Sequence, residues 1–242
     1  MTKFGISAII NCAAVIAGGL LGLLIKKGLP ERFQEILICI CGLSVIFMGI
    51  SGTLREMLVI ENGTIATQGT LMMIFSLGFG ALLGELLNIE HRIEQLGEWR
   101  KEKSGSSGDN RFMEGVLNTS LTICIGAMAV VGSIQDGLNG DISTLTAKAI
   151  LDFIIVFVMA SSMGKGCVFS AVPVGLFQGS ITLLACFIEP LLTEASISNM
   201  SMVGNMLIFC VGVNLMFHQK IKVANLLPSL IFAVAAAFLP WF

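Results

Sequence analysis

Gly18-Gly19-Leu20-Leu21-Gly22-Leu23-Leu24-Ile25-Lys26-Lys27 is an apolar run that stops abruptly on two lysines, with Leu29-Pro30-Glu31-Arg32 close behind. The run begins near residue 4, so it offers roughly 22 residues, enough for a helix to cross a bilayer. Seven further stretches of comparable character follow, at about residues 33–53, 68–87, 112–133, 144–160, 167–188, 200–217 and 223–239. The basic residues collect in alternate gaps between them. Lys26, Lys27 and Arg32 occupy the first gap, and Arg92, Arg100, Lys101, Lys103 and Arg111 the third. Lys165 lies in the fifth, and Lys220 and Lys222 in the seventh, which makes eleven of the 14 basic residues. The second, fourth and sixth gaps hold Arg55 alone. Because cytoplasmic loops retain Lys and Arg, the odd-numbered loops are expected inside and both termini outside. The fold class this implies is all-α: a polytopic integral membrane protein of about eight transmembrane helices.

Composition agrees with that reading. Hydrophobic residues make up 55% of the 242 and charged ones 12%, a balance that leaves a water-soluble fold too much apolar surface to hide. A formal net charge of -2 gives no footing for a nucleic-acid partner; the partner implied is the lipid bilayer. The first span follows one basic residue, Lys3, but is too long for the core of a cleaved signal peptide and runs straight into lysines. It reads as a retained helix. The seven cysteines, Cys12, Cys39, Cys41, Cys124, Cys167, Cys186 and Cys210, are scattered through apolar segments with no C-x-x-C pair, which suits small apolar filler. No metal site and no cofactor are expected.

Residues 1–242 read as a single transmembrane domain. Two helical hairpins, 4–53 and 68–133, precede a four-helix C-terminal half at 144–242. The second hairpin carries a cytoplasmic linker at 88–111, in which Ile89, Ile93 and Leu96 are spaced as on an amphipathic helix ending near Trp99. Ser104-Gly105-Ser106-Ser107-Gly108 is a flexible tether. Gln135-Asp136-Gly137-Leu138-Asn139-Gly140-Asp141 has turn chemistry, and Trp241 suits an interfacial anchor. Gly18-Gly19-Leu20-Leu21-Gly22-Leu23-Leu24 is echoed by Gly80-Ala81-Leu82-Leu83-Gly84-Glu85-Leu86, which points to an internal repeat of the hairpin. Transporters commonly place their sites where such repeats meet.

Polar groups within a span are costly and mark a pathway by default. Lys148 and Asp152 lie four residues apart, hence on one helix face, and can neutralise each other. Asp152 reads either as a carboxylate that takes a coupling proton or cation, with Lys148 as the competing internal cation, or as half of a structural pair. Asn11, Asn118, Gln178, Asn205 and Asn214 supply uncharged donors and acceptors on four spans, suited to a polar solute or to holding helices together. Glu85 and Glu114 at cytoplasmic ends, and Asp136 in an outer gap, are candidates for the mouths of a pathway. His91 and His218 sit at cytoplasmic edges, as surface residues. The Gly164-Lys165-Gly166 turn and the Pro173-Val174-Gly175 break could expose backbone to a cavity.

Four separated motifs together resemble the YdfK/YqgA-like family of bacterial inner-membrane proteins. They are Asn11 before Gly18-Gly19-Leu20-Leu21-Gly22; Leu29-Pro30-Glu31-Arg32; Ala147-Lys148-Ala149-Ile150-Leu151-Asp152-Phe153; and Val223-Ala224-Asn225-Leu226-Leu227-Pro228. The resemblance covers nearly the whole chain and implies a bacterial cytoplasmic-membrane location. The family is classed as a domain of unknown function and often labelled as candidate transport proteins, with no role assigned to Lys148, Asp152 or Asn225. The function expected is a small secondary transporter of an ion or polar metabolite, working as a homodimer. The alternatives are a passive channel and a non-transporting scaffold or sensor component. No His-Glu metal motif, Ser–Lys dyad or phosphate-cradling loop is present, so catalytic residues, and an enzyme, are not expected.

Overall fold

A computed structural model describes residues 6–25, 30–61, 63–92, 95, 110–124, 127–217 and 221–239, with backbone only at 110, 111, 113, 114, 121 and 127. Helices dominate: α1 (Ile6–Leu24), α2 (Glu31–Met57), α3 (Thr70–Leu87), α4 (Asn110–Cys124), α5 (Ala127–Asn139), α6 (Ser143–Met163), α7 (Gly166–Phe169), α8 (Ala171–Ile188), α9 (Glu194–Phe217) and α10 (Ser229–Ala236). Short 3₁₀ turns lie at Glu189–Leu191 and Val223–Leu226. Among the described residues, six helical stretches are long and apolar enough to cross a membrane: α1, α2, α3, α6, Gly166–Leu191 and α9. Counting α4 and α5 as one bent span makes seven. Leu24, Leu86, Leu176 and Phe187 stand exposed on these helices, as side chains facing lipid do. The protein is therefore a polytopic membrane protein embedded in the bilayer.

The structure differs from the eight uniform spans of the sequence reading at two places. The stretch 112–133 is not one helix: α4 and α5 meet at 62°, with residues 125 and 126 between them outside the described residues. The final stretch opens as a 3₁₀ turn, and Pro228 precedes the short α10. Val223–Ala236 rises about 21 Å at helical pitch, short of a hydrocarbon core of about 30 Å. A third difference lies at residues 135–141, which are not a turn. The helix α5 runs on to Asn139 and ends at Gly140, whose φ of 64° favours glycine. Helix persists there because Gln135 and Asp136 find hydrogen-bond donors inside the protein and need no water.

The second gap forms a β-hairpin, β1 (Leu58–Glu61) on β2 (Thr64–Thr67), with Leu58 opposite Thr67 and Glu61 opposite Thr64. Asn88, at φ 48°, closes α3. Beyond it residues 89–92 and 95 are helical, while 93–94 and 96–109, including most of the expected amphipathic segment, Trp99 and the Ser-Gly tether, lie outside the described residues. So do Lys26, Lys27, His218 and Trp241.

The chain divides into two compact units, each built from two separate segments. The first comprises Met1–Cys41 and His91–Phe187, the second Gly42–Glu90 and Ile188–Phe242. In the first, α1 lies along α6 because Gly18 and Gly22 have no side chain. A methyl at either would land on the carbonyl oxygen of Phe153 or Phe157. Gly132 seats α5 against Thr144 and Leu145 of α6, and Gly137 seats it on Thr182 and Ala185 of α8. Val15, Val156, Ala160, Cys167, Ala171 and Val174 form the apolar core around these contacts. In the second unit, Gly42 and Gly49 rest on the α9 backbone at Met216 and Phe209, and Gly80 and Gly84 of α3 rest on Ser229 and Asn225. Small residues do this work because, between helices in lipid, close packing replaces the hydrophobic drive.

Candidate functional site

The inward face of α1 is read off its buried positions: Ser7, Asn11, Val15, Gly18, Gly19 and Gly22. The glycines bring the helix onto α6 at its far end, and the same close approach lets the two polar residues reach buried acids. Asn11 Nδ2 donates to Asp152 Oδ2 at 2.8 Å and to Gln178 Oε1 of α8 at 3.1 Å. The Ser7 hydroxyl donates to Asp136 Oδ2 of α5. One helix face thus serves two carboxylates one turn apart.

Asp152 lies near the middle of α6 and is 2% exposed; Lys148 is 5% exposed, and Asn11 and Gln178 are fully enclosed. Lys148 Nζ donates to both Asp152 oxygens at 2.7 Å and also to the carbonyl of Ile123 at 2.7 Å. Ile123 is the second-last residue of α4, where helix carbonyls lack an intrahelical donor. The ammonium therefore answers two negative groups at once, the carboxylate and the negative end of the interrupted helix. Asp152 accepts from Lys148 and Asn11, so its charge is compensated as a buried charge must be. Two polar atoms of the network remain without a hydrogen-bond partner among the described residues: the acceptor Asn11 Oδ1 and the donor Gln178 Nε2. Nearby on the polar side of this unit, the Thr144 hydroxyl donates to Gln135 Oε1 at 2.6 Å.

Four of the residues singled out from sequence, Asn11, Lys148, Asp152 and Gln178, therefore meet in one buried network. Among the described residues, Asn118 does not share its hydrogen bonds. Asn118, half-buried on α4, accepts the Thr122 hydroxyl through its backbone carbonyl. Asn205 and Asn214 belong to the second unit. Asn205 donates to the Ser201 carbonyl, and its side chain fills the space left by Gly52. Asn214 ties α9 to Ile221, donating to its carbonyl at 2.8 Å and accepting its N–H at 3.0 Å. Glu85, also in the second unit, accepts from Asn225 at 2.9 Å and Lys222 at 3.1 Å. The side chain of Glu114 lies outside the described residues. Asp136 is buried within α5 rather than placed in an outer loop.

Ser7 and the Ile123 carbonyl were not among the sequence candidates. Ser7 carried a readable signal, since it sits four residues before Asn11 and in register with the glycines. The Ile123 carbonyl carried none, because the break in its span is not written in the apolar pattern.

Comparison with known proteins agrees over nearly the full length. The chain is similar to the "Uncharacterized membrane protein YdfK" of Bacillus subtilis (strain 168), 30% identical over 230 residues that cover 95% of this chain and 94% of that protein. It is also similar to the "Uncharacterized protein YqgA" of Escherichia coli (strain K12), 28% identical over 246 residues covering 98% and 99% respectively. No solved structure matches. With residues 6–238 matched by the profile described as "Protein of unknown function (DUF554)", the chain belongs to that family.

Proposed function

We propose that this protein is a small secondary transporter of an ion or polar metabolite in the bacterial cytoplasmic membrane, with Asp152 as its coupling carboxylate. One observation carries the reading: a mid-span acid is held by a lysine and an amide, and the adjoining amides, Asn11 and Gln178, keep an unused acceptor and an unused donor. An ion pair buried only for stability is poorly chosen, since apolar residues of equal volume serve as well or better. In the proposed cycle a proton or cation competes with Lys148 for Asp152. Lys148 then keeps the Ile123 carbonyl as its remaining partner, so that occupancy of Asp152 is felt at the broken α4–α5 span. Interrupted spans in transporters expose backbone groups to ligands in this way.

The proposal includes eight crossings with both termini outside, Val223–Ala236 with its flanking residues serving as the last and shortest. It also includes descent from a repeated hairpin, supported by the matching glycine pairs of α1 and α3, each of which lies against backbone later in the chain. The working unit is a homodimer, which light scattering of the detergent complex would report as twice the chain mass.

The test compares wild type with Lys148→Gln/Asp152→Asn, which removes both charges together. Melting temperature is measured across pH steps, monovalent cations and a panel of polar metabolites, because a ligand that binds the folded state alone raises it in a saturable way. A saturable rise present in wild type and absent from an equally stable double variant is expected. Equal responses in the two proteins would make the pair structural and leave a channel or scaffold as the better reading.

A further inference from the structure

The second unit contains a cavity of about 430 Å³ where the first turns of α3 and α9 meet the end of α10. That volume is within the range of small-molecule sites. Its floor is apolar and soft: the thioethers of Met72 and Met202, both essentially buried. Its polar walls are Gln68, Glu194, Ser198 and Asn199.

The hydrogen-bond accounts of those walls are lopsided. Gln68 Nε2 donates to the Glu56 carbonyl at 3.2 Å, Asn199 Nδ2 to the Ala233 carbonyl at 3.3 Å, and the Ser198 hydroxyl to Glu56 Oε2 at 2.7 Å. Apart from the second hydrogen on each amide, what they keep for the cavity is oxygen lone pairs. Glu194 adds a carboxylate, which only accepts. It has no basic partner among the described residues. At the start of α9, two of the leading N–H groups are already engaged. The Thr193 hydroxyl accepts the Ser196 N–H at 3.1 Å, and the Thr193 carbonyl accepts the Ile197 N–H at 3.0 Å.

An acceptor-rich wall with one formal negative charge above a thioether floor matches one kind of ligand. We propose that this cavity binds a small organic cation, a primary ammonium with a short aliphatic body. The ammonium has three donors and no acceptor, so it complements the oxygens of Glu194, Asn199 and Gln68. Its bonds to the carboxylate are charge-assisted, the stronger class. The aliphatic body lies on Met72 and Met202, whose flexible, polarisable side chains adapt to small apolar groups. This site stands independently of the role proposed for Asp152.

The test uses the full-length protein in detergent and titrates n-butylammonium, n-butanol and butyrate by calorimetry. Saturable binding of the amine is expected, with the alcohol and the acid binding far more weakly. Glu194 and Ala195 are exposed, so replacing them leaves the helix packing intact. Glu194→Gln should weaken the amine about tenfold or more, the loss of a charge-assisted bond. Ala195→Phe should block the cavity, while Lys148→Gln/Asp152→Asn should leave amine binding unchanged. The proposal is overturned if the amine does not bind saturably or if the alcohol binds as tightly. It is equally overturned if Glu194→Gln matches wild type, or if binding disappears with the Lys148–Asp152 pair.

Discussion

At the scale of single residues, the structure changes what a substitution at Asp152 should do. From spacing alone, Asp152→Asn would remove a coupling group and leave folding intact. In the structure Lys148 is enclosed and depends on Asp152 for its charge balance, so the single variant strands an ammonium in the membrane interior. Asp152→Asn should therefore lose about 3–5 kcal/mol of stability, the usual cost of breaking a buried pair, and Lys148→Gln/Asp152→Asn should recover most of it. Unfolding of all three proteins in a common detergent measures this; a single variant as stable as wild type would show the pair to be slack. The spacing of Lys148 and Asp152 was legible because both lie on one helix. That Asn11 and Gln178 face them, and Asn118 does not join them, was not legible, since a helix pattern fixes a face without naming its neighbour. Asp136 was misplaced for the same reason: its partner Ser7 lies far away in sequence.

Among elements, glycine patterning sorts cleanly into contact and freedom. Gly84 meets the Asn225 backbone, where any side chain collides, whereas Gly78 on the same helix faces open space. Gly84→Ala should cost about 1–3 kcal/mol through overpacking. Gly78→Ala should be neutral or up to about 1 kcal/mol stabilising, since alanine is the better helix former. Opposite or equal effects in a denaturation series would remove the assigned α3 packing. The G-x-L-L-G-x-L motifs announced such contacts in the sequence. The α4–α5 break was hidden, because hydropathy sums over a bend as readily as over a straight helix. The β-hairpin was legible but went unread: Asn62-Gly63 between two short β-branched runs is a tight-turn signal, and only the turn was expected there.

For the whole molecule, membrane character was plain in composition and spacing, and six of the expected spans reappear close to their bounds as α1, α2, α3, α6, Gly166–Leu191 and α9. The number of crossings turns on the bent α4–α5 pair and on the shortest piece, Val223–Ala236. Alkaline phosphatase fused after Phe242 should be active and green fluorescent protein at the same site dark, placing that end outside; the reverse would contradict eight crossings with both termini outside. The most direct test of the central claim is the ligand-dependent melting of wild type beside Lys148→Gln/Asp152→Asn, across pH, monovalent cations and polar metabolites. The expected result is a saturable stabilisation in wild type that vanishes in an equally stable double variant. Identical responses from the two proteins, or none from either, would contradict a coupling role for Asp152.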